Sequence, residues 1–346
     1  MLHAIAGRIP ESNKLHLEGR RYINDQIVDG QDILPGAMVE QEVNFFPHMT
    51  VRETLHFRVE LEMGRALNRS QRELMVQDLM EQMRLTNVAD TIVGNSKIRG
   101  ISGGERKRLS VAVELIQSPS IIFLDEPTSG LDSTAATTLI QNLRDLADQG
   151  KTVVAVIHQP SQHVFSKFDD LLLVSDGKLM YFGELNKVRS YMANMGYTAP
   201  SDMGTAEHVL DCISRQPIED ETKEEAETRV HKLAEAAREM HISIVPDQSV
   251  EKQKRFTAVD HRRTGPKAGI VRQFALLLKR SFREVMRGKT AIFVKTIQQV
   301  SLGLIYGGIY KLGKDQASIQ DRFGLLSLVA IGSANMVSGI RTSPCL

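Results

Sequence analysis

The stretch Ile121-Ile122-Phe123-Leu124-Asp125-Glu126 decides the fold of this chain. Its four consecutive apolar residues predict a parallel β-strand that is buried on both faces, and its two carboxylates lie where ligands of such sheets collect. An aspartate at this place can hold the water shell of Mg²⁺ beside nucleotide phosphates, and a neighbouring glutamate can orient an attacking water. Because apolar runs that end in acids also occur by chance, the pattern needs support from the rest of the chain.

A second motif lies upstream of this strand. Ser102-Gly103-Gly104-Glu105 comes directly before Arg106–Leu115, which has helical periodicity. Glycines at a helix entrance let backbone N–H groups approach a phosphate, and the helix dipole favours the anion. The alternative is an ordinary glycine-rich helix start with Ser102 as its N-cap residue. Both interpretations fit these residues alone.

The order of the motifs along the chain points to one family. Five elements follow one another, namely Gln41 after the apolar Ala37–Val39, Ser102-Gly103-Gly104-Glu105, Asp125-Glu126, Ser129-Gly130-Leu131-Asp132, and His158 after the valine-rich Thr152–Ile157. In this order the chain resembles the ATP-binding-cassette (ABC) ATPases, with their Q-loop, signature, Walker B motif with catalytic glutamate, D-loop and switch histidine. Val51–Leu55 and His158–Ser161 are similar to the G subfamily of ABC transporters, the white–brown and pleiotropic-drug-resistance type, which places its cassette before its membrane domain.

The resemblance implies ATP and Mg²⁺ as cofactors and a role for each motif residue. Glu126 would be the general base and His158 the sensor of the γ-phosphate. Asp125 and Gln41 would lie on the Mg²⁺ side of the site. The nucleotide-binding set would be Gln41, Ser102, Gly103, Gly104, Glu105 and Asp132. Without the resemblance, a histidine such as His158 at a strand end is more often merely hydrogen-bonded, and a His158/His163 metal pair lacks a third ligand.

Composition excludes several classes of protein. The 43 Lys and Arg residues balance 42 Asp and Glu residues, so the formal net charge of +1 excludes a globally basic nucleic-acid binder, and we expect no nucleic-acid partner. A content of 42% hydrophobic and 25% charged residues is typical of a folded chain. Two cysteines, Cys212 and Cys345, exclude a disulfide scaffold and fit a reducing compartment.

The end of the chain predicts a membrane segment. Lys267–Lys289 carries seven Lys and Arg residues against Glu284, with apolar residues at helical spacing, as in a helix on an anionic membrane surface. Two uncharged stretches follow, Thr296–Tyr310 and Phe323–Ile340, whereas a spanning helix needs about 20 mostly apolar residues. Two buried helices of a soluble domain are the alternative. Because a basic amphipathic helix precedes both stretches, we favour a multi-pass membrane protein with its cassette in the cytosol.

These observations predict the organisation of the chain. The expected fold is an α/β P-loop-type ABC ATPase domain with a helical subdomain, followed by an all-α transmembrane portion of about two spans. The expected parts are an ABC cassette at 1–214, a charged linker at 215–266, an amphipathic connecting helix at 267–289, and the start of the transmembrane domain at 290–346, with spans at about 291–310 and 323–340.

Three local patterns predict secondary structure. Thr50-Val51-Arg52-Glu53 and Ser70-Gln71-Arg72-Glu73 are typical of capping boxes, and they indicate helices before the signature. Asp176-Gly177, between two apolar runs, indicates a tight β-hairpin.

One family motif is missing from the sequence. The phosphate-binding loop G-x-x-x-x-G-K-[ST], or Walker A motif, does not occur in it. Met1–Arg8 resembles the helix that follows this loop in the family, so we expect the chain to begin just past the loop and to be a fragment or a mis-bounded gene model. Because the loop supplies the cradle for the phosphates, we expect the chain alone to bind ATP poorly and not to hydrolyse it.

Three functions remain open at this point. The first is a transporter subunit that couples ATP hydrolysis to export of hydrophobic or lipid-like substrates, with a lipid membrane and a second ABC cassette, identical or different, as partners. The second is a soluble ABC-class ATPase that acts on DNA or ribosomes. The third is a catalytically incompetent, truncated partner subunit. The basic helix and the uncharged stretches favour the first or the third over the second.

Overall fold

The described part of the chain divides into two units. A computed structural model describes residues 1–9, 19, 21–23, 26–28, 36–41, 44–64, 66–200, 202–217, 221–242, 268–309, 324, 326 and 327. The first unit comprises Met1–Asn44, Leu55–Ala89 and Ile101–Ala268, and the second comprises Phe45–Thr54, Asp90–Gly100 and Gly269–Leu346.

The structure describes seven strands and eleven α-helices, of which the last two helices belong to the second unit. The strands are β1 Arg21–Ile23, β2 Gln26–Val28, β3 Gly36–Val39, β4 Ile121–Asp125, β5 Thr152–Val156, β6 Asp170–Ser175 and β7 Lys178–Glu184. The helices are α1 Leu2–Ile5, α2 Val51–Met63, α3 Arg69–Gln82, α4 Gly103–Leu115, α5 Ser133–Asp148, α6 Gln162–Phe165, α7 Val188–Asn194, α8 Thr205–Ile213, α9 Lys223–Ile242, α10 Ile270–Arg287 and α11 Lys289–Ile309.

The sheet at the centre of the first unit is parallel, in the order β3-β4-β5. Val39 pairs with Leu124, and Asp125 pairs with Val156. Ile122, Phe123 and Leu124 are buried, which confirms the prediction of a strand covered on both faces. Because the three strands run in the same direction, their carboxyl ends lie at one edge of the sheet.

Helices α4 and α5 provide much of the remaining core. In α4 the buried apolar residues include Leu109, Val113 and Leu115, and in α5 they include Leu139 and Leu146. In α5 these residues lie on one apolar face, whereas α4 is buried continuously from Leu109 to Val113 and is therefore covered on all sides there. Both helices follow a motif loop directly, so their packing fixes the places of those loops.

The two predicted capping boxes have different outcomes. Before α2, the Thr50 N–H donates to Glu53 Oε2 (3.1 Å) and the Glu53 N–H donates to Thr50 Oγ1 (3.2 Å), which confirms the first box. Before α3, the box is formed by Asn68 and Gln71 rather than by Ser70 and Glu73, so the second prediction was wrong by two residues. Asparagine caps a helix as well as serine does, and the helix therefore begins earlier.

The predicted hairpin is present. Strands β6 and β7 are antiparallel, and the turn between them is Asp176-Gly177. Both turn residues have positive φ angles, 53° and 71°, as a two-residue hairpin with the twist of its strands requires.

Helix α9 departs from the predicted charged linker at 215–266. Its outward face is polar, but Ala226, Val230, Leu233 and Ala237 are buried, and Val230 and Leu233 join a core cluster with residues of β7, α7 and α8. The acidic and basic residues that suggested a solvated connector therefore form one face of an amphipathic helix. The rest of the predicted linker, residues 243–266, lies outside the described residues, as do residues 218–220.

A buried arginine holds α9 in place. Arg229 is 4% exposed, and its guanidinium donates to both carboxylate oxygens of Glu221 (3.0 and 2.8 Å). It also donates to the carbonyl oxygens of Asp211 (2.7 Å) and Cys212 (2.5 Å) at the end of α8. These bonds lie in the last turn of α8, where carbonyls lack the regular helical partners and a positive charge is favourable.

The second unit joins α10 to two short segments that were expected in the cassette. The Val51 N–H donates to Thr91 O (3.1 Å) and the Val93 N–H to Met49 O (2.8 Å), so the two segments are paired. Glu53 binds Arg283 (3.0 Å) and, through both of its oxygens, Arg287 (2.6 and 2.9 Å).

The basic face of α10 is therefore only partly available to a membrane surface. Arg283 and Arg287 are bound to Glu53, and the guanidinium of Arg280 lies 3.9 Å from the ring centroid of Phe46. The exposed side of the helix is its apolar stripe, which includes Phe274 and Phe282, 65% and 66% exposed.

The first predicted span coincides with α11, which runs from Lys289 to Ile309. Of the helices that the structure describes, none combines the length and the apolar character needed to cross a membrane. The second predicted span, 323–340, lies outside the described residues except for 324, 326 and 327.

Removing the charge of Glu53 tests the pairing within the second unit. We expect Glu53→Gln to lower the melting temperature of the full chain by about 2–5 °C, because charge-assisted bonds at a partly exposed site contribute about 1–2 kcal/mol. Circular dichroism in detergent measures the change, and Glu81→Gln, an exposed carboxylate on α3, serves as the control.

The effect should depend on pH. Burial raises the pKa of the Glu53 carboxyl, but hydrogen bonds from Arg287 and Thr50 and the charges of Arg283 and Arg287 outweigh it, and the net pKa is lowered. Such a group stabilises the folded state above its unfolded pKa, and the contribution is lost as the pH falls through the folded value. The difference between wild type and Glu53→Gln should therefore be full at pH 7 and shrink below about pH 4.3. Equal differences at pH 7 and pH 3 would contradict the assignment.

Candidate functional site

The carboxyl ends of the three parallel strands collect four of the predicted site residues. Gln41 follows β3 by two residues, Asp125 ends β4, Glu126 comes next, and His158 follows β5 by two residues. The register of the strands places these ends at one edge of the sheet. The sheet therefore brings to one edge an amide, two carboxylates and an imidazole that are far apart in the sequence.

Gln41 and Glu126 are in direct contact. The Gln41 amide donates from Nε2 to Glu126 Oε2 over 2.9 Å. A carboxylate oxygen that accepts this bond is oriented by it, and the second oxygen of Glu126 belongs to the same rigid group. The side chain predicted to sense the nucleotide thus touches the side chain predicted to act as base.

The backbone of Glu126 has an unusual conformation. Its φ is +43°, in the left-handed region, which costs a residue with a Cβ about 1–3 kcal/mol. Two backbone bonds hold it there, since the Glu126 N–H donates to Val156 O (3.0 Å) and the Ser129 N–H donates to Glu126 O (3.1 Å). Gln159, which follows His158, has a φ of +44°. Sharp turns at two strand ends therefore aim the site residues away from their strands.

Asp125 has a side chain that is partly exposed, and His3 Nε2 lies 3.8 Å from its Oδ2. Mg²⁺ in phosphate-transfer sites takes one or two carboxylates and keeps water and phosphate oxygens as its other ligands. Asp125 and the amide oxygen of Gln41 are donors of this type at one sheet edge, so they fit such an ion. Within the described residues, no three His, Cys, Asp or Glu side chains cluster in a way that could hold a metal by themselves, and a His158/His163 pair gains no third ligand there.

The signature residues open helix α4. Ser102 is its N-cap residue, and both the Ser102 N–H (2.7 Å) and its hydroxyl (2.8 Å) donate to Glu105 Oε2, while the Glu105 N–H donates to Ser102 Oγ (3.3 Å). The capping interpretation of Ser102 and Glu105 is thus confirmed. Contact of these residues with a phosphate remains a prediction. The start of the helix is exposed, so a ligand can approach it.

The two glycines of the signature have different surroundings. A Cβ on Gly104 would lie 2.8 Å from the Cβ of Ala135, so the close packing of α4 on α5 requires a glycine there. A Cβ on Gly103 would meet Leu131 Cδ2 at 3.5 Å, an ordinary contact. Packing inside this chain therefore explains Gly104 and does not explain Gly103.

Asp132 is the N-cap residue of α5, and its carboxylate accepts a bond from the Ala135 N–H (2.9 Å). Because Leu131 and Ala135 are the residues next to Gly103 and Gly104, the predicted D-loop lies beside the predicted signature.

Sequence reasoning missed Lys107, whose Nζ donates to the backbone carbonyl of Gln41. This bond ties α4 to the loop after β3. The only signal in the sequence was a basic run, Arg106-Lys107-Arg108, directly after the signature.

The chain matches known protein families along most of its length. Residues 1–129 match a family described as "ABC transporter". Residues 158–226 and 272–343 match two families that are each described as "ABC-2 type transporter". The first match contains β3, α4 and β4, and the last contains α11 and all of α10 except its first two residues.

Individual relatives agree with these matches. "ABC transporter G family member 7" of Arabidopsis thaliana is 39% identical over 344 residues, which cover 96% of this chain and 47% of the relative. "ABC transporter G family member 25" of the same plant is 36% identical over 96% of this chain and 51% of its own length. "Broad substrate specificity ATP-binding cassette transporter ABCG2" of Bos taurus is 34% identical over 84% of this chain and 47% of its own length.

The chain thus spans about half the length of the relatives that it matches. The family matches cover the sheet-edge residues and most of the amphipathic helix α10. The matches to G family transporters cover the same segments. Along most of its length the chain is therefore similar to the G family of ABC transporters.

Proposed function

We propose that this chain is the ATPase cassette and the first membrane portion of a transporter that couples ATP hydrolysis to export of hydrophobic or lipid-like substrates. The observation that carries the proposal is the contact of Gln41 with Glu126 beside Asp125, at the carboxyl edge of a parallel sheet. Ligands bind at this edge in open α/β sheets. The match of residues 272–343 to an ABC-2 type transporter family favours a transporter over a soluble ATPase.

The residues at the sheet edge have distinct chemical tasks in this proposal. Glu126 accepts a proton from the water that attacks the γ-phosphate of ATP, and His158 contacts that phosphate. Asp125 and Gln41 hold Mg²⁺, which when bound neutralises charge on the phosphates. Because Gln41 also donates to Glu126, its position sets the orientation of the base.

The signature residues serve a second cassette, of the same or another chain. Ser102 and Gly103 are exposed at the start of α4, where backbone N–H groups and the helix dipole favour an anion. Their side of the helix offers a surface for the phosphates of ATP bound to the partner, with Glu105 and Asp132 fixing the two helix starts. Gly103 supports this role because the packing of the described residues does not require a glycine there.

The membrane contact of α10 is supported by its exposed apolar side chains. Phe274, Leu278, Phe282 and Val285 are all more than half exposed along one side of the helix. Such a stripe, flanked by the exposed cations Arg272 and Lys279, suits the boundary between lipid headgroups and acyl chains. We therefore propose that α10 lies on the cytosolic face of the membrane, on the same side as the cassette.

Replacing the base tests the ATPase assignment. In a version that carries an upstream Walker A loop, we expect Glu126→Gln to lower ATP hydrolysis by at least about 100-fold, since general-base catalysis contributes this much, and to leave ATP binding intact. Phosphate release and equilibrium binding of a fluorescent ATP analogue measure the two quantities. Glu207→Gln, on the exposed side of α8, is the control, and wild-type turnover by Glu126→Gln would assign the base elsewhere.

The two glycines of the signature allow a matched comparison. We expect Gly103→Ala to keep the melting temperature of wild type, because the added methyl group makes only an ordinary contact with Leu131 Cδ2 among the described residues. We expect it to lose ATPase activity at least tenfold, because the methyl group would lie against the partner's nucleotide. Gly104→Ala should instead lower stability by about 1–3 kcal/mol through its clash with Ala135. If Gly103→Ala hydrolyses ATP like wild type, the signature does not contact phosphate.

Labelling with a membrane-impermeant maleimide tests the proposed topology. Burial raises the pKa of the Cys212 thiol to about 11, so it does not react at neutral pH, and Cys345→Ser gives a silent background. We expect Lys279→Cys on α10 and Ser190→Cys on α7 to react only after the cells are permeabilised. Reaction of Lys279→Cys in intact cells, with Ser190→Cys protected, would place α10 on the opposite side.

A further inference from the structure

Lys107 connects two motifs that act on different nucleotides in the proposed dimer. It lies on α4 five residues after Ser102, and its Nζ donates to the backbone carbonyl of Gln41. Gln41 in turn donates from its amide to Glu126 Oε2 over 2.9 Å. A continuous series of hydrogen bonds therefore runs from the signature helix to the general base of the same chain.

The signature glycines and Lys107 lie on the same capped helix, α4. Ser102 and Glu105 cap its start, and Leu109, Val111 and Val113 are buried further along. An α-helix rises about 1.5 Å per residue and makes a turn every 3.6 residues, so Lys107 lies about one turn beyond the glycines. A displacement of the capped helix start would therefore also displace Lys107.

We propose that Lys107 is a positioning residue that links the two ATP sites of the dimer through Gln41. This inference rests on the proposed function, since it needs a partner cassette whose nucleotide contacts Ser102 and Gly103. Contact with that nucleotide shifts α4, Lys107 shifts the backbone of Gln41, and the Gln41 amide changes its bond to Glu126. Each chain thereby adjusts its own base to the occupancy of the other site.

The effect on the base follows from hydrogen-bond chemistry. While Gln41 donates to Oε2, that oxygen of Glu126 is occupied by the amide and is less available to accept a hydrogen bond from the attacking water. Displacement of the amide frees the oxygen. Hydrolysis in one site should therefore be faster when the partner's site is occupied, which appears as positive cooperativity in ATP.

The chain offers a matched control for this bond. Lys151 Nζ donates to the backbone carbonyl of Pro119 (3.0 Å), a bond of the same type at the start of β5 and away from the site. Lys107→Met and Lys151→Met each remove one such bond and keep the length of the side chain. Lys107→Arg keeps the positive charge and can restore the bond to Gln41.

The test measures ATP hydrolysis against ATP concentration, with Mg²⁺, in a membrane-reconstituted protein that carries the upstream Walker A loop. We expect a Hill coefficient above 1 for wild type, Lys107→Arg and Lys151→Met. For Lys107→Met we expect a Hill coefficient of 1 and a maximal rate at least about fivefold lower, within the usual range of allosteric coupling. The rate of amide hydrogen exchange in the segment around Gln41 should change when ATP is added to wild type, and it should not change in Lys107→Met.

The possible results separate this inference from the proposed function. If Lys107→Met matches Lys151→Met in Hill coefficient and in hydrogen exchange, or if wild type hydrolyses ATP without cooperativity, Lys107 does not link the sites, while the ATPase assignment stands. If Lys107→Met melts well below Lys151→Met, the result for Lys107→Arg decides the question. Cooperativity that is retained in Lys107→Arg supports the link. Loss of cooperativity in Lys107→Arg, with a melting temperature like that of wild type, opposes the link. If wild type does not hydrolyse ATP at all, the proposed function fails and the inference fails with it.

Discussion

The parallel pairing of β4 with β3 and β5 is the constraint on which the rest of the first unit depends. Parallel strands cannot be joined by a tight turn, so the chain between them must cross over the sheet. Between β3 and β4 this crossover leaves the first unit at Phe45–Thr54 and at Asp90–Gly100 and returns as α4. This one connection therefore contains three features: the capping box whose Glu53 binds α10, the helical segment α2–α3, and the signature. The parallel pairing that requires the crossover also places the carboxyl ends of the strands together.

The site is held by backbone geometry more than by side-chain packing. Glu126 has a left-handed backbone, at a cost of about 1–3 kcal/mol, and the ladder bond to Val156 together with the turn bond from Ser129 offsets it. The side chains at this edge remain partly or fully exposed, as groups that must reach a ligand have to be. Because tight turns directly follow the strands, the side chains at this edge can be exposed to a ligand and still be held in a fixed position.

The sequence predicted the elements whose causes are local. The apolar run of β4, the Asp176-Gly177 turn and the Thr50 capping box each depend on a few neighbouring residues, and each was found as expected. The misplaced features depend on distant partners. Helix α9 was taken for a solvated connector because its buried stripe is narrow and alternates with charges, and α10 was assigned a free basic face because Glu53, its partner, lies 234 residues away in the sequence.

The pair Gly103-Gly104 shows why a motif is not the same as a site. Both glycines belong to one sequence pattern, yet Gly104 is required by Ala135 of the same chain, and Gly103 has room for a methyl group. Gly103 is the first residue of α4, next to the N-cap Ser102, and among the described residues only Leu131 Cδ2 would lie within 4 Å of an added Cβ. The packing of the described residues therefore leaves the identity of Gly103 unexplained, and its exposed place at the helix start is open to a ligand. Packing against Ala135 thus accounts for Gly104, whereas the role of Gly103 depends on the contact with a partner's nucleotide that we propose.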